Sequence, residues 1–278
     1  MKKQFICTLA MLFTFCLQGL AQDYATFLTE MKELEKEEKG YHTYIFGKDE
    51  TRTDADRKTM VPKLEDVRAR KVALARKGIA ANPGDPHFVD VLNFYLFNYL
   101  TVNELDSILE NFTGEAREHK MWKSMKSYVK YKPLNAVGKE CYDFTMKGHN
   151  GETIKLSDEL KKHKLVLVDF WASWCGPCRA FMPRLKEIHA KYKDQGLGVV
   201  TLSLDEDGDA WKDAYESLNF PWVDGSNLLG WSDPASERYV IRGIPHKVLI
   251  SSDGKFVGLN LHSQKDLENA IEEYLKNH

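Results

Sequence analysis

The stretch Leu165-Val166-Leu167-Val168-Asp169-Phe170-Trp171-Ala172-Ser173-Trp174-Cys175-Gly176-Pro177-Cys178-Arg179 decides how the chain is read. Its first seven residues are apolar except for Asp169, the length and composition of a buried strand. From Arg179 to Tyr192 the pattern becomes amphipathic with a helical period, so a strand runs into a helix with two cysteines at the joint. Cys175 then lies at the helix N-terminus and Cys178 one turn inside. Unpaired N–H groups and the positive end of the helix dipole favour thiolate at Cys175, which makes it the candidate nucleophile. Cys178 is close enough to attack any mixed disulfide that Cys175 forms. A Cys-x-x-Cys in this setting reads as a dithiol/disulfide redox centre. The alternatives are a zinc half-site and a purely structural bridge. Zinc commonly needs four ligands, yet there is no second Cys-x-x-Cys and the nine histidines are scattered singly, so no metal and no cofactor is expected. A bridge across so short a loop would constrain little chain entropy.

A second segment agrees with the first. Tyr239-Val240-Ile241-Arg242-Gly243-Ile244-Pro245 is followed by a strand over Lys247 to Ile250 and by Ser252-Asp253-Gly254-Lys255. Together the two segments resemble the active-site and cis-proline segments of the thioredoxin superfamily. Within it, Val137-Gly138-Lys139-Glu140-Cys141-Tyr142-Asp143-Phe144-Thr145, the turn at Asn150-Gly151 and Ile154-Lys155-Leu156-Ser157 resemble the TlpA/ResA-like extracytoplasmic thiol-disulfide oxidoreductases. The resemblance covers residues 135 to 277, about half the chain.

The resemblance carries site residues with it. Asp169 matches the buried acid of the thioredoxin pattern, a candidate base for the Cys178 thiol whose pKa burial should raise; a merely structural, hydrogen-bonded acid is the alternative. The lysine that thioredoxins place on the neighbouring strand is replaced near Thr201, which leaves the charge balance of Asp169 open. Trp174 and Trp171 should flank the sulfurs, one shielding and one packed beneath. Ile244 and a cis Pro245 should present backbone to a substrate peptide, with Trp174 as a further substrate contact. His246 stands where the family commonly has threonine, as a solvated group or one that tunes the thiols. Gly176-Pro177 is the dipeptide of reducing members, which points to a reductant. Cys141, where the family often has a small residue, reads as a packing thiol, with a third redox thiol as the alternative. Phe220 to Glu237, with Trp222, Trp231 and Pro234, reads as a longer and irregular stretch that either borders the site and contributes to substrate recognition or is a packed surface loop.

Met1-Lys2-Lys3, the apolar run Phe5 to Leu20 and Gly19-Leu20-Ala21 describe a secretory signal peptide, residues 1–21, cleaved after Ala21. Phe15 before Cys16 argues against a lipoprotein site. Loss of this segment removes Cys7 and Cys16 and leaves a periplasmic protein, soluble after cleavage, with Cys141, Cys175 and Cys178. The formal net charge of −2 makes neither nucleic acid nor an anionic membrane surface an expected partner.

Residues 22–134 read as a small all-α domain. Tyr24, Phe27, Met31 and Leu34 form one stripe of a charged helix ended by Gly40, followed by a loop over Tyr41 to Thr53 or a short strand at Tyr44 to Phe46. Pro62 is expected to open a second helix that stops at Asn82-Pro83-Gly84. Phe88 to Leu100 reads as a third, apolar on most sides and hence central, its aromatic residues core rather than a peptide groove. Leu105, Ile108 and Leu109 follow, and Thr113-Gly114-Glu115 starts another helix through Tyr128. Beyond Lys132-Pro133-Leu134 strands and helices alternate, so residues 135–278 are expected as an α/β thioredoxin-like domain, a mixed central sheet with helices on both faces. The resemblance implies reduction of protein disulfides and recharging by a membrane electron donor. A peroxiredoxin-like peroxidase is the alternative enzyme, although Ala172-Ser173-Trp174-Cys175 lacks that family's proline and hydroxyl spacing; a partner-binding module with a secondary redox pair is the other.

Overall fold

The computed structural model describes residues 23–261 and 263–278. The expected signal peptide lies outside the described residues. The chain divides between Lys126 and Ser127 into two compact units.

The first unit is helical. Helix α1 (Tyr24–Phe46) is capped by Asp23 and buries Phe27, Met31 and Ile45. It does not stop at Gly40 as the sequence suggested, and 41–46 is neither loop nor strand. A side chain at Gly40 would meet nothing, so glycine there costs only its intrinsic propensity, about 1 kcal/mol against alanine. Burial of Ile45 outweighs that. The Arg57 guanidinium then satisfies the helix end, donating to Ile45 O (2.8 Å), Gly47 O (2.9 Å) and Asp49 O (2.8 Å). Helix α2 (Asp54–Ala81) starts well before Pro62, which lies inside it. Thr53 and Asp56 form a reciprocal capping box, a Thr-x-x-Asp signal that the proline obscured.

The expected third helix is broken up. It runs as α3 (His87–Val91), a π-helical turn over Leu92–Leu96 and a 3-10 turn over Phe97–Tyr99. It ends because Thr101 must take an extended backbone to cap α4 (Val102–Glu110). Phe88, Val91, Leu92 and Leu96 are buried, whereas Phe94 and Tyr99 face outward. The Phe27 and Phe88 rings meet edge to face at 5.4 Å, as core residues do. The helix expected from Thr113 is two, α5 (Glu115–Glu118) and α6 (Lys120–Tyr131), because His119 between them is extended.

The second unit is built on seven strands: β1 (Thr145–Lys147), β2 (Thr153–Lys155), β3 (Leu165–Trp171), β4 (Leu197–Ser203), β5 (Val223–Ser226), β6 (His246–Ser251) and β7 (Phe256–Leu259). Their order is β2-β1-β5-β4-β3-β6-β7. The β3/β4 and β4/β5 pairs are parallel and the others antiparallel, a mixed sheet as expected. β3 and β4 are buried at every position because helices cover both faces. On one face α8 (Gly176–Tyr192), α9 (Gly208–Leu218) and α11 (Gln264–Asn277) pack over Leu165, Leu167 and Trp171. On the other, α7 (Leu156–Leu160) and α10 (Pro234–Arg238) pack over Val166, Val168 and Phe170. Strand β5 and α10 occupy the stretch that read as irregular. Val223-Asp224-Gly225-Ser226 escaped notice because its buried residues are polar and held by hydrogen bonds rather than apolarity.

Candidate active site

Cys175 is the N-cap of α8, its backbone extended, and its Sγ accepts from the Cys178 N–H at 3.2 Å. Pro177 fits the first turn, where its missing N–H has no helical partner to lose. The two sulfurs are joined, with an S–S distance of 2.00 Å and Cα atoms 5.3 Å apart. Cys178 is wholly buried and Cys175 is 5% exposed, so of the two residues only Cys175 reaches the surface. Among the described residues no cluster of His, Cys, Asp or Glu could hold a metal ion.

The joint between β3 and α8 is fixed from below. The Leu204 N–H donates to Trp171 O (2.8 Å), and Ser173 donates through N and Oγ to the Asp205 carboxylate (2.8 and 2.5 Å). Trp171 is buried and its Nε1 donates to Asp224 Oδ1 at 2.9 Å. Asp224 also accepts from Thr201 Oγ1 (2.5 Å) and Trp211 Nε1 (2.9 Å), and His149 Nε2 lies 3.0 Å from its Oδ2. One buried carboxylate on β5 thus ties β3, the strand that leads into the cysteines, to β4, α9 and the β1–β2 hairpin loop.

Strand alternation puts Asp169 on the same face as Trp171, beneath α8. It is fully buried and neither carboxylate oxygen has a hydrogen bond. Desolvation raises its pKa to about 6, against the pull of Lys247. Lys247, the residue opposite Asp169 in the β3–β6 register, is 3% exposed, with Nζ 3.6 Å from Asp169 Oδ1. That ammonium also sits 4.1 Å from the Phe181 ring centroid on α8, one turn beyond Cys178. Thr201, where a lysine was missed in the sequence, is paired with Asp169 from the β4 side.

The Ile244–Pro245 peptide bond is cis, and Ile244 packs against the cluster that contains Cys175 and Cys178.

A thioredoxin-like family model matches residues 163–256. The thiol-disulfide oxidoreductase ResA of Bacillus thuringiensis (strain Al Hakam) is 33% identical over 144 residues, which are 50% of this chain and 77% of that protein. ResA of Halalkalibacterium halodurans is 28% identical over 148 residues, 51% of this chain and 77% of that one. The chain belongs to the ResA-like thiol-disulfide oxidoreductases. A solved thioredoxin domain of a thiol-disulfide oxidoreductase from Bacteroides vulgatus is 31% identical, covering 50% of this chain and 98% of that domain, with a TM-score of 0.46.

Trp174, next to Cys175 in sequence, is 57% exposed, whereas Trp171 is buried. His246 is half-buried, its ring edge-on to Phe170 at 6.1 Å, so it faces the side of the sheet away from α8. Cys141 is a free, half-buried thiol whose pKa burial pushes up, which suits packing. Lys247 and Asp224 were missed. A lysine inside an apolar strand, two residues after the proline, was the signal for the first; the second could be found only once β5 was known.

Proposed function

We propose that the protein is an extracytoplasmic reductase of protein disulfides working through a Cys175 mixed disulfide, with residues 22–134 as a helical domain and 135–278 as the redox domain. The Cys175 thiolate attacks one sulfur of a substrate cystine; that S–S bond breaks and the other substrate sulfur leaves as a thiolate and takes up a proton. Cys178 gives its proton to Asp169 and attacks Cys175 Sγ, releasing the second substrate thiol and closing the Cys175–Cys178 bond. Two electrons and two protons pass to the substrate, and a dithiol of a membrane electron donor restores the reduced pair. The Trp174 side chain and the backbone at Ile244 and Pro245 hold the substrate strand beside the sulfurs.

The observation that carries this reading is the disulfide at the start of α8 with Cys175 as its accessible half. Trapping tests it. Cys178→Ser protein should accumulate a covalent adduct with a disulfide-containing protein, seen by mass spectrometry and reversed by dithiothreitol, and Cys175→Ser should form none. Consumption of hydrogen peroxide at a comparable rate would instead favour a peroxidase.

A further inference from the structure

Beside Cys175 the chain displays apolar side chains that it could have covered. Trp174 is 57% exposed, Trp231 47%, Leu229 47% and Leu228 38%, and the two indole rings lie 6.3 Å apart. The loop that carries three of them is tightly built. Leu228 holds a left-handed backbone, φ 56°, unusual for a leucine. Its N–H donates to Ser226 Oγ (3.1 Å), and Asn227 Nδ2 donates to Thr145 O (2.9 Å) and Asp233 Oδ2 (2.8 Å). The Ser232 N–H donates to Leu229 O at 3.0 Å. Gly230, φ 56°, lies so close to Glu206 that a Cβ there would strike that side chain.

A second feature adjoins the first. At the carboxyl end of β4 the loop and first turns of α9 expose Glu206, Asp207, Asp209 and Asp213, with Arg179 and Lys212 as the basic side chains nearby. The acidic loop is tied to Ser173 through Asp205, and Leu228 abuts Gly208 within it. A cleft of about 260 Å³ is lined by Ser173, Trp174, Arg179 and Asp213. The Trp174–Trp231 ring contact, the Leu228–Gly208 contact and the cleft shared by Trp174 and Asp213 link the apolar side chains to the acidic ones, next in sequence to Cys175.

We infer that Trp174, Leu228, Leu229 and Trp231, bordered by Glu206, Asp207, Asp209 and Asp213, dock a substrate segment that is both apolar and cationic. The occupant is an extended polypeptide stretch with an aromatic or aliphatic side chain close to its cystine and a lysine or arginine next to it. Aromatic anchors supply contact area at low entropic cost, and the acidic border steers and orients the cationic chain. This inference rests on the reading of the protein as a reductase of protein disulfides.

The test is a single-turnover oxidation of the pre-reduced full chain, followed by loss of free thiol. Three disulfides serve as probes: a cystine peptide flanked by phenylalanine and lysine, the same peptide with glutamate for lysine, and bis(2-hydroxyethyl) disulfide, which has no flanks. The lysine peptide should react about tenfold faster than the glutamate peptide at low ionic strength, and the gap should shrink near 0.5 M salt, where the Debye length falls to a few ångströms. In Trp231→Ser and in Glu206→Gln/Asp209→Asn, the ratio of lysine-peptide to hydroxyethyl-disulfide rate constants should fall about tenfold, the size of one lost interface anchor. Equal rates on the two peptides, or an unchanged ratio in both variants, overturns the docking surface while leaving the reductase intact. Failure to reduce any of the three probes overturns the reductase reading and the docking surface with it.

Discussion

Lys247 Nζ stands 3.6 Å from Asp169 Oδ1, strand partner to strand partner, in a space closed to solvent beneath the helix that begins at Cys175. The sequence put the charge balance of Asp169 in question because β4 offers Thr201 and no lysine. The cation comes from the other neighbour, β6, two residues after Pro245. Burial alone would hold the Asp169 carboxyl neutral far above its ordinary range. Lys247 works against that burial, and the outcome is a pKa of about 6, where the group can accept a proton at neutral pH and return it.

Lys247→Met should therefore push the Asp169 pKa further up. The acid limb of the pH profile for release of substrate from the mixed disulfide should move to higher pH by about one unit or more. Stability should follow the same sign. A carboxyl whose folded pKa is raised stabilises the fold while protonated, and that contribution is lost as pH rises from about 4 through about 6. Without its cation the carboxyl stays protonated to higher pH, so the variant's loss at pH 8 should exceed its loss at pH 5 by about 1.4 kcal/mol for each unit that the Asp169 pKa rises. Urea unfolding at the two pH values measures this; an equal loss at both would show that Lys247 acts by packing alone.

Asp169→Asn should separate the two chemical steps. Attack by Cys175 on a substrate disulfide needs no proton transfer from Asp169 and should remain within a few-fold of the parent, whereas release by Cys178 should slow by about 10² or more, the usual contribution of a positioned base. Rapid-quench mass spectrometry would then show the mixed disulfide building up in a protein with both cysteines intact. Slowing of attack and release together would assign Asp169 a structural role.

Much of this was readable from the residues, and the limits have physical causes. β3 and the helix after it were plain because six apolar positions out of seven and two cysteines leave few alternatives. The cis Pro245 came only through the resemblance, since an Ile-Pro pair by itself favours trans. Helix ends in the first unit went wrong where one strong signal masked another: Pro62 hid the Thr53/Asp56 box, and Gly40 resembled a stop although nothing crowds it. Strand β5 was invisible because its interior is polar. Hydrophobic periodicity cannot find a strand buried through Asp224, whose partners at positions 149, 171, 201 and 211 are far away in sequence.

Cys141 should behave as a packing residue. Burial pushes its pKa up, so little thiolate forms near neutral pH. In reduced native protein at pH 7.5, iodoacetamide should label Cys175 first and Cys141 at least tenfold more slowly, since alkylation follows the thiolate fraction and access. Cys141→Ala should keep the reaction of the redox pair and cost about 1 kcal/mol of stability, as small core truncations do. Rapid labelling of Cys141, or loss of turnover in Cys141→Ala, would return it to the list of redox thiols.

Asp224 should prove the most sensitive buried polar position in the second unit. It accepts from Trp171 Nε1, Thr201 Oγ1 and Trp211 Nε1, and the His149 ring stacks on Tyr215 at 3.4 Å while its Nε2 reaches the same carboxylate. Asp224→Leu would strand three buried donors at once, each costing about 1–3 kcal/mol when left unmade, so the loss should reach several kcal/mol and can exceed the stability of the unit. Asp224→Asn keeps the shape and an acceptor oxygen but turns one oxygen into a donor that faces another donor; it should fold and lose about 2 kcal/mol. Because Trp171 lies next to the turn that carries Cys175, Asp224→Asn should also loosen the sulfur pair, raising the rate at which dithiothreitol reduces the Cys175–Cys178 bond. A variant with parent-like stability but faster reduction would place the network's role in positioning the cysteines, and one with lower stability and an unchanged reduction rate would confine it to holding the sheet together.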